Sequence, residues 1–431
     1  MAPAIAPVKT SSDFPASTTV VVIGGGIVGL TAAFCLIERG IPVVLLEKGR
    51  IAGEQSSRNL GWVRKMGRSA ADVPMSLAAD RLWAEMPARV NADVGYRQAG
   101  IMYLARTEAE MEMHRSWMAS VADFGLDSSL LSPDEIEARV PGGKGQWAGG
   151  IHTPSDGRAE PALASSAIAA AALAKGAVIV ENCAVRTLTL SSGKVSGVVT
   201  EHGEIRCDQV LLAGGLWSRR FLGNLGVSLP TLPLICSVMR TAPMQGPTEI
   251  AVGGPDFSFR KRLDGGFTIT QRGALNAPLT LDHLLIGLKY LPTLKGARGL
   301  LRLNLGKHCL HDLLLARRWG ANSRSPFEKV RIMDPVPDVG INAEAMRNLM
   351  AAWPEFSKAV IAEVWAGMMD ITPDSLPVIG PVAKIPGLTV ASGFSGHGFG
   401  TAPAAGHLAA DLVSGHRPIL DPAPYGLERF M

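Results

Sequence analysis

The stretch that decides the fold is TVVVIGGGIVGLTAAFCLIERGIPVVLLEK, residues 19–48. Val20, Val21, Val22 and Ile23 form an unbroken β-branched run that stops at glycine. That pattern belongs to a strand covered on both faces within a parallel sheet. Gly24, Gly26 and Gly29 then spell G-x-G-x-x-G. The first glycine permits a tight turn, the second lets backbone approach a pyrophosphate, and the third lets a helix pack on the strand. The spacing predicts a helix over Leu30–Arg39 closed by Gly40, then a second strand over Val43–Leu46. Glu47 follows, 18 residues after Gly29, where a carboxylate can accept the hydroxyls of an adenosine ribose. Strand, glycine turn, helix, strand and acid together predict a dinucleotide site.

The remaining composition narrows the class. A chain of 431 residues with 47% apolar and 19% charged residues holds two or three units of globular α/β character. Its net charge of +4 is small, and no basic run interleaved with aromatics argues for nucleic acid. Five scattered cysteines without C-x-x-C spacing predict a reducing compartment, a cytoplasmic location and no structural metal. Residues 1–18, rich in Ala, Pro, Ser and Thr, read as a flexible tail rather than a signal peptide or anchor.

Beyond Glu47, the polar, glycine-rich loop containing Ser56, Ser57, Arg58 and Asn59 can place donors around a pyrophosphate or a flavin. Arg64, Lys65 and Arg68 follow closely, either to attract an anionic substrate or as a solvated basic face. Helices are predicted over 74–90, 108–122 and 162–175, and a strand with a turn at Gly100 over 96–104. Ser132-Pro133-Asp134-Glu135 reads as a helix start. The segment DQVLLAGGLWS, residues 208–218, again runs an apolar strand into glycine, so the nucleotide-binding fold resumes there. From 229 to 330, short alternating segments such as GFTITQR, residues 266–272, predict an antiparallel sheet. Within that region, residues 281–319 carry seven Lys or Arg against two Asp among many leucines. Such a stretch suits helices lying on a membrane, a flap over a site, or helices packed on their own domain. Near the C-terminus, GFSGHGFGT, residues 393–401, opens a helix with glycines, which suits anionic or carbonyl oxygens at helix N–H donors.

Taken in order, the Gly24-Gly26-Gly29 turn with Glu47, VLLAGGLWS, WAG…TPDSLPVIGP and GFSGHGFG resemble the glycine oxidase and D-amino-acid oxidase superfamily of FAD enzymes. Within it, the stretch from Asn182 to Leu232, together with GEQSSR, YRQAGIMYL, SPFEKVRI and DPAPYGLERF, resembles the Proteus-type L-amino acid deaminases most. The chain departs from those enzymes in lacking a hydrophobic N-terminal anchor and in carrying SGHG.

The resemblance implies an α/β fold: a Rossmann-like, three-layer FAD-binding domain with an inserted α+β substrate domain containing an antiparallel sheet. The FAD domain is expected over 19–95, 150–228 and 361–431. The substrate domain is expected over 96–149 and 229–360, with a basic helical insertion at about 281–320. Non-covalent FAD is expected against Gly24, Gly26, Ile27, Val28, Gly29, Glu47, Lys48, Gln55, Ser56, Ser57, Arg58, Gly61, Trp62, Val185, Ala213, Gly214, Trp217, Gly396, Gly398, Phe399, Gly400 and Thr401. The implied reaction oxidises the C–N bond of an amino acid to an imine, which hydrolyses to a 2-oxo acid and ammonia. Many superfamily members anchor the substrate carboxylate on an arginine after W-x-G, where this chain has Met368 and Met369. The deaminases resemble it in carrying the arginine on the substrate-domain sheet, here Arg272, with Gln98 as a second contact. His397, in the SGHG loop, either faces the flavin or the substrate or opens the helix, held by backbone contacts. A D-amino acid, an N-alkyl amino acid, an opine or a hydroxyproline-type imino acid stays open as substrate. So does a non-catalytic FAD-binding subunit of a larger complex. Oxygen and a membrane quinone both stay open as acceptor, and peripheral contact with the inner membrane stays open with them.

Overall fold

The computed structural model describes residues 3–291 and 301–431, with the backbone alone at Lys307. The opening strand, Ser17–Ile23, lies at the centre of a parallel sheet. Val43–Leu46 flanks it on one side and Gly203–Leu212 on the other, with Val22 opposite both Leu45 and Leu211. Val178–Val180 and Leu388–Ser392 extend the parallel set outward. The β-branched run explains this position, because successive side chains point to opposite faces and both faces are covered. Val20 and Val22 pack with Leu30, Phe34 and Leu408 on one side, and Val21 packs with Val44, Val210 and Trp217 on the other.

The helix after the glycine turn spans Ile27–Glu38. It starts three residues earlier than periodicity indicates, because Ile27, Val28 and Gly29 already turn inside the buried layer. The alanine-rich helix Pro161–Ala174 and the C-terminal helix Gly398–Ser414 pack on the same face of the sheet. Lys194–Thr200 and Gly203–Leu212 form a hairpin, with Val185–Ser191 beside it.

A second, ten-stranded sheet centres on Leu232–Thr241, whose whole length pairs with Ile361–Ile371. Its other strands include Phe267–Thr270, Ser258–Lys261, Ala251–Gly253, Ile101–Ala105 and Gly149–Thr153. A small sheet of Trp62–Val63, Gly157–Arg158 and Arg97–Gln98 joins the two units. Two expected boundaries therefore move. Residues 150–153 and 361–371 hydrogen-bond into the second sheet rather than the nucleotide-binding one.

The N-terminal segment also differs from the expected tail. Ile5 and Val8 pack on the core, Ala6 N donates to Ala162 O at 2.9 Å, and Ser11 N donates to Ile179 O at 2.8 Å. Three apolar side chains, those two and Phe14, supply the burial that a polar tail would lack. Part of the leucine-rich stretch, residues 292–300, lies outside the described residues.

A Cβ built at Gly29 would stand 2.2 Å from Gly24 O. Gly29→Ala is expected to destabilise the FAD-free protein by about 1–3 kcal/mol in urea unfolding, because the turn and helix must separate. Unchanged stability would show that the helix can shift at no cost.

Candidate functional site

A cleft runs from the carboxyl ends of the central strands to the first turn of the C-terminal helix. At one end, Glu47 Oε2 accepts from Gly25 N and Oε1 from Gly49 N, each at 2.7 Å. Burial pushes its carboxyl above the ordinary range, and Lys48 and the two N–H donors oppose that shift. In the middle, Gly24 holds φ +112°, and a Cβ there would lie 2.4 Å from Ala213 O. The turn thus brings bare backbone to the mouth of the cleft. The helix Ile27–Glu38 begins with no side-chain cap and no acid in its first turn, which leaves its positive end open to an anion. Ser56 Oγ accepts from Ile27 N at 2.9 Å and stands beside Gly26. At the far end, Gly396, Gly398 and Phe399 line the cleft where the helix Gly398–Ser414 starts, also with no capping side chain and no first-turn acid.

The outer wall comes from a segment that sequence reasoning did not assign to the site. Phe327 and Ile332 line the cleft. Lys48 Nζ donates to Val330 O at 3.0 Å and Arg331 O at 2.8 Å, while Arg331 Nη1 donates back to Lys48 O at 2.9 Å. Glu54 accepts from Lys48 Nζ at 2.7 Å, Met333 N at 2.9 Å and the Trp217 indole at 3.0 Å. The signal for this wall was the S-x-x-E start at Ser325 and Glu328, which forms a full capping box. Glu328 then takes Arg186 with two hydrogen bonds, at 2.8 and 2.9 Å.

Of the expected cofactor contacts, Gly24, Gly26, Ile27, Val28, Glu47, Lys48, Gln55, Ser56, Val185, Ala213, Gly214, Trp217, Gly396, Gly398 and Phe399 come together around the cleft. Seven others stand behind it. Gly29 serves the turn, as shown above. Ser57 donates to Glu54 O at 3.3 Å. Arg58, only 1% exposed, is spent on Asp334 at 2.7 Å, Ala366 O at 2.8 Å and Gly53 O at 3.1 Å. Gly61 accepts from Ala159 N at 2.9 Å. Gly400 carries the backbone oxygen that takes the Trp83 indole at 2.8 Å, and a Cβ there would meet Trp62 O at 2.7 Å. Trp62 instead packs on Tyr103, with ring centroids 5.8 Å apart. Thr401 Oγ1 donates to His397 O at 3.1 Å. These seven positions are taken up by contacts within the protein, several of them with residues distant in the chain.

Asp370 also lines the cleft, and sequence reasoning passed over it. It ends the strand that crosses the second sheet and accepts from Gly393 N at 2.6 Å. Burial pushes its carboxyl up to about 6.

The expected substrate groups divide. Arg272 lies in the loop between Phe267–Thr270 and Leu275–Pro278, its guanidinium carbon 3.9 Å from the Tyr103 ring centroid. Its one hydrogen bond is to Gly254 O at 3.2 Å, and among the described residues no carboxylate pairs with it. Burial and the nearby Arg64 lower the stability of its charge. His397 precedes the C-terminal helix, with Nδ1 unpartnered. Burial, then Arg68 and Arg64, hold its imidazole neutral well below the usual histidine range. Gln98 is exposed on an edge of the small sheet, and none of Arg272, His397 and Gln98 is among the residues that line the cleft.

Bare backbone at Gly24 and Gly26, two open helix N-termini and a carboxylate at the strand end fit an extended dinucleotide. Residues 19–412 match the FAD dependent oxidoreductase family DAO. The chain belongs to that family, and its cofactor is FAD. It is 31% identical to the L-amino acid deaminase of Proteus myxofaciens, solved in complex with anthranilate, with TM-score 0.95 over 100% of this chain and 97% of that one. It is 26% identical to the glycine oxidase of Pseudomonas putida over 96% of this chain and 99% of that protein. It is also 25% identical to the mitochondrial sarcosine dehydrogenase of Mus musculus, covering 99% of this chain but only 43% of that longer protein. The chain thus spans less than half of that relative.

The raised Asp370 carboxyl has a measurable consequence. Between pH 3.8 and about 6 the folded state keeps a proton that the unfolded chain has lost. This group therefore supports folding fully below 3.8, and that support is lost as pH rises through 6. The stability of Asp370→Asn relative to the parent is expected to improve by roughly 2 kcal/mol between pH 4 and 7 in urea unfolding of the FAD-free protein. A pH-independent difference would contradict the assignment.

Proposed function

We propose that this protein is an FAD-dependent amino acid dehydrogenase or deaminase that oxidises the Cα–N bond to an imine. Hydrolysis of the imine then gives a 2-oxo acid and ammonia. The observation that carries this reading is Arg272, a guanidinium held on Tyr103 with no paired carboxylate among the described residues. A planar fork of donors in a shielded place suits a substrate carboxylate taken by two parallel hydrogen bonds. FAD, when bound, supplies the two-electron acceptor for the hydride leaving Cα.

The chain's own part is orientation. Arg272 fixes the carboxylate, Tyr103, itself packed on Trp62, fixes Arg272 by stacking, and the neutral His397 adds no competing charge. Positioning of this kind supplies much of a rate enhancement without a dedicated acid–base pair. The deaminase, glycine oxidase and sarcosine dehydrogenase relatives support amine chemistry and differ among themselves in substrate.

The test is anaerobic mixing of the FAD-loaded protein with L-, D- and N-alkyl amino acids. An L-amino acid is expected to bleach the flavin. Bleaching by N-alkyl or D-amino acids alone would reassign the substrate, and bleaching by none would remove the catalytic reading. Arg272→Ala is expected to raise KM about 10- to 100-fold with the flavin spectrum retained, since one charge-assisted contact is lost. Unchanged kinetics would take Arg272 out of the site.

The leucine-rich segment supports peripheral contact with the inner membrane and a quinone as acceptor. Its two aspartates are paired inward, Asp282 with Arg219 and Arg317, each at 2.9 Å, and Asp312 with Arg317 at 2.9 Å and Arg220, while Lys289, Arg302 and Arg318 are exposed. Its leucines face outward, with Leu284, Leu288, Leu305 and Leu314 each 79–83% exposed. That arrangement inverts the usual polarity of a water-facing helix and suits a lipid surface. Among the described residues no helix is long and apolar enough to cross a membrane. Leu310→Glu combined with Leu314→Glu is expected to abolish cosedimentation with anionic lipid vesicles. Retained binding would move the contact elsewhere.

A further inference from the structure

The loop after Trp62–Val63 carries cations that the proposed reaction does not use. Arg68 is 3% exposed, yet its Nε and Nη1 have no hydrogen-bond partner. Its nearest carboxylate, Asp72, stands 3.8 Å away. Burial and the like charge of Arg64 together pull the Arg68 guanidinium down to about 9. Lys65 is already satisfied by Asp80 at 2.7 Å and Asp156 at 3.3 Å. Arg64 donates to Met66 O, and among the described residues it has no carboxylate.

Arg64 and Arg272 flank one aromatic ring. A Cβ built at Gly253 would meet Arg272 Nη1 and the Cδ1 edge of Tyr103. One built at Gly67 would meet Arg64 Nη1 and the Cε2 edge, which lies across the ring. Arg68 and Arg64 both press on the His397 imidazole, at the start of the helix whose first turn lines the cleft. The close approach of Gly400 to Trp62 O holds the strand that leads into this loop against the same helix turn. Two cationic points therefore stand about Tyr103 and the start of the C-terminal helix, one at Arg272 and one at Arg64 and Arg68, all of them behind the residues that line the cleft. Clustered like charges with unspent donors in a shielded place are costly unless an anion completes them.

We propose that Arg64 and Arg68 form a second anion subsite that takes the side-chain carboxylate of an acidic amino acid while Arg272 takes the α-carboxylate. The substrate class is an α-amino dicarboxylic acid. This rests on the amino acid reading above and deepens it. A neutral side chain would leave the Arg68 donors unspent, whereas a second carboxylate accepts from them.

The experiment uses the FAD-loaded full chain in two arms. Calorimetry compares glutarate with butyrate, which differ by the second carboxylate. Steady-state kinetics compares glutamate with glutamine. Glutarate is expected to bind at least about 10-fold tighter than butyrate, and glutamate to exceed glutamine by a similar factor in kcat/KM. Arg64→Gln and Arg68→Gln should each collapse both ratios towards one, and Arg68→Lys should restore part of the glutarate preference. If Arg68→Gln does not fold, Arg64→Gln, on a half-buried side chain, carries the same comparison. Equal binding of glutarate and butyrate overturns the subsite, as does a ratio untouched by Arg64→Gln. The two readings fail separately. Tight glutarate binding with no amino acid able to bleach the flavin ends amine oxidation and keeps the subsite. Bleaching by neutral amino acids, with no dicarboxylate preference, does the reverse.

Discussion

The missing side chain at Gly24 is the constraint on which the rest depends. The opening strand lies between two parallel neighbours, and its last residue is tied to both through their carboxyl ends. Ala213 N donates to Ile23 O at 2.8 Å, and Gly24 N donates to Leu46 O at 2.9 Å. In that confined place a Cβ would lie 2.4 Å from Ala213 O. Only glycine lets the chain turn there and start a helix at once. From this turn follow the open helix N-terminus, the position of Glu47 at the next strand end, and the cleft between them.

A cleft made by one sheet edge is open on its outer side, and here electrostatics closes it. Glu54 gathers Lys48, Trp217 and Met333 at one carboxylate, and Arg331 and Lys48 exchange backbone contacts across the gap. Partly buried charges of this kind earn their place by fixing which segments meet. The strand Ile361–Ile371 performs the corresponding task between the two units. It pairs with Leu232–Thr241 throughout, yet its Asp370 lines the cofactor cleft.

Charge is distributed with opposite logic in two other places. Beneath the leucine-rich segment, arginines and aspartates neutralise one another and the apolar residues are left outside. Around Tyr103, Arg272 and Arg64 have no paired carboxylate among the described residues. The first arrangement is complete in itself and turns an apolar face outward. The second is incomplete and is suited to a ligand that brings the missing negative charge.

The chain order alone determined the nucleotide-binding half of the fold. A β-branched run, three glycines at fixed spacing and a terminal acid act within thirty residues, so local geometry suffices to read them. The same locality showed the alanine-rich helix. What only the tertiary structure decided depended on partners hundreds of residues apart. Arg58 looked like a phosphate donor until Asp334 and Ala366 took its hydrogen bonds. Gln98 shared an alternating strand with buried neighbours, but pairing with Gly157 left it exposed. The N-terminal segment read as a tail because its three apolar side chains have no periodicity, and only the surface they meet gives them burial. Asp370 and the 327–333 wall were silent for the same reason: a carboxylate or a loop acquires its role from what folding brings opposite it, and sequence spacing carries no record of that.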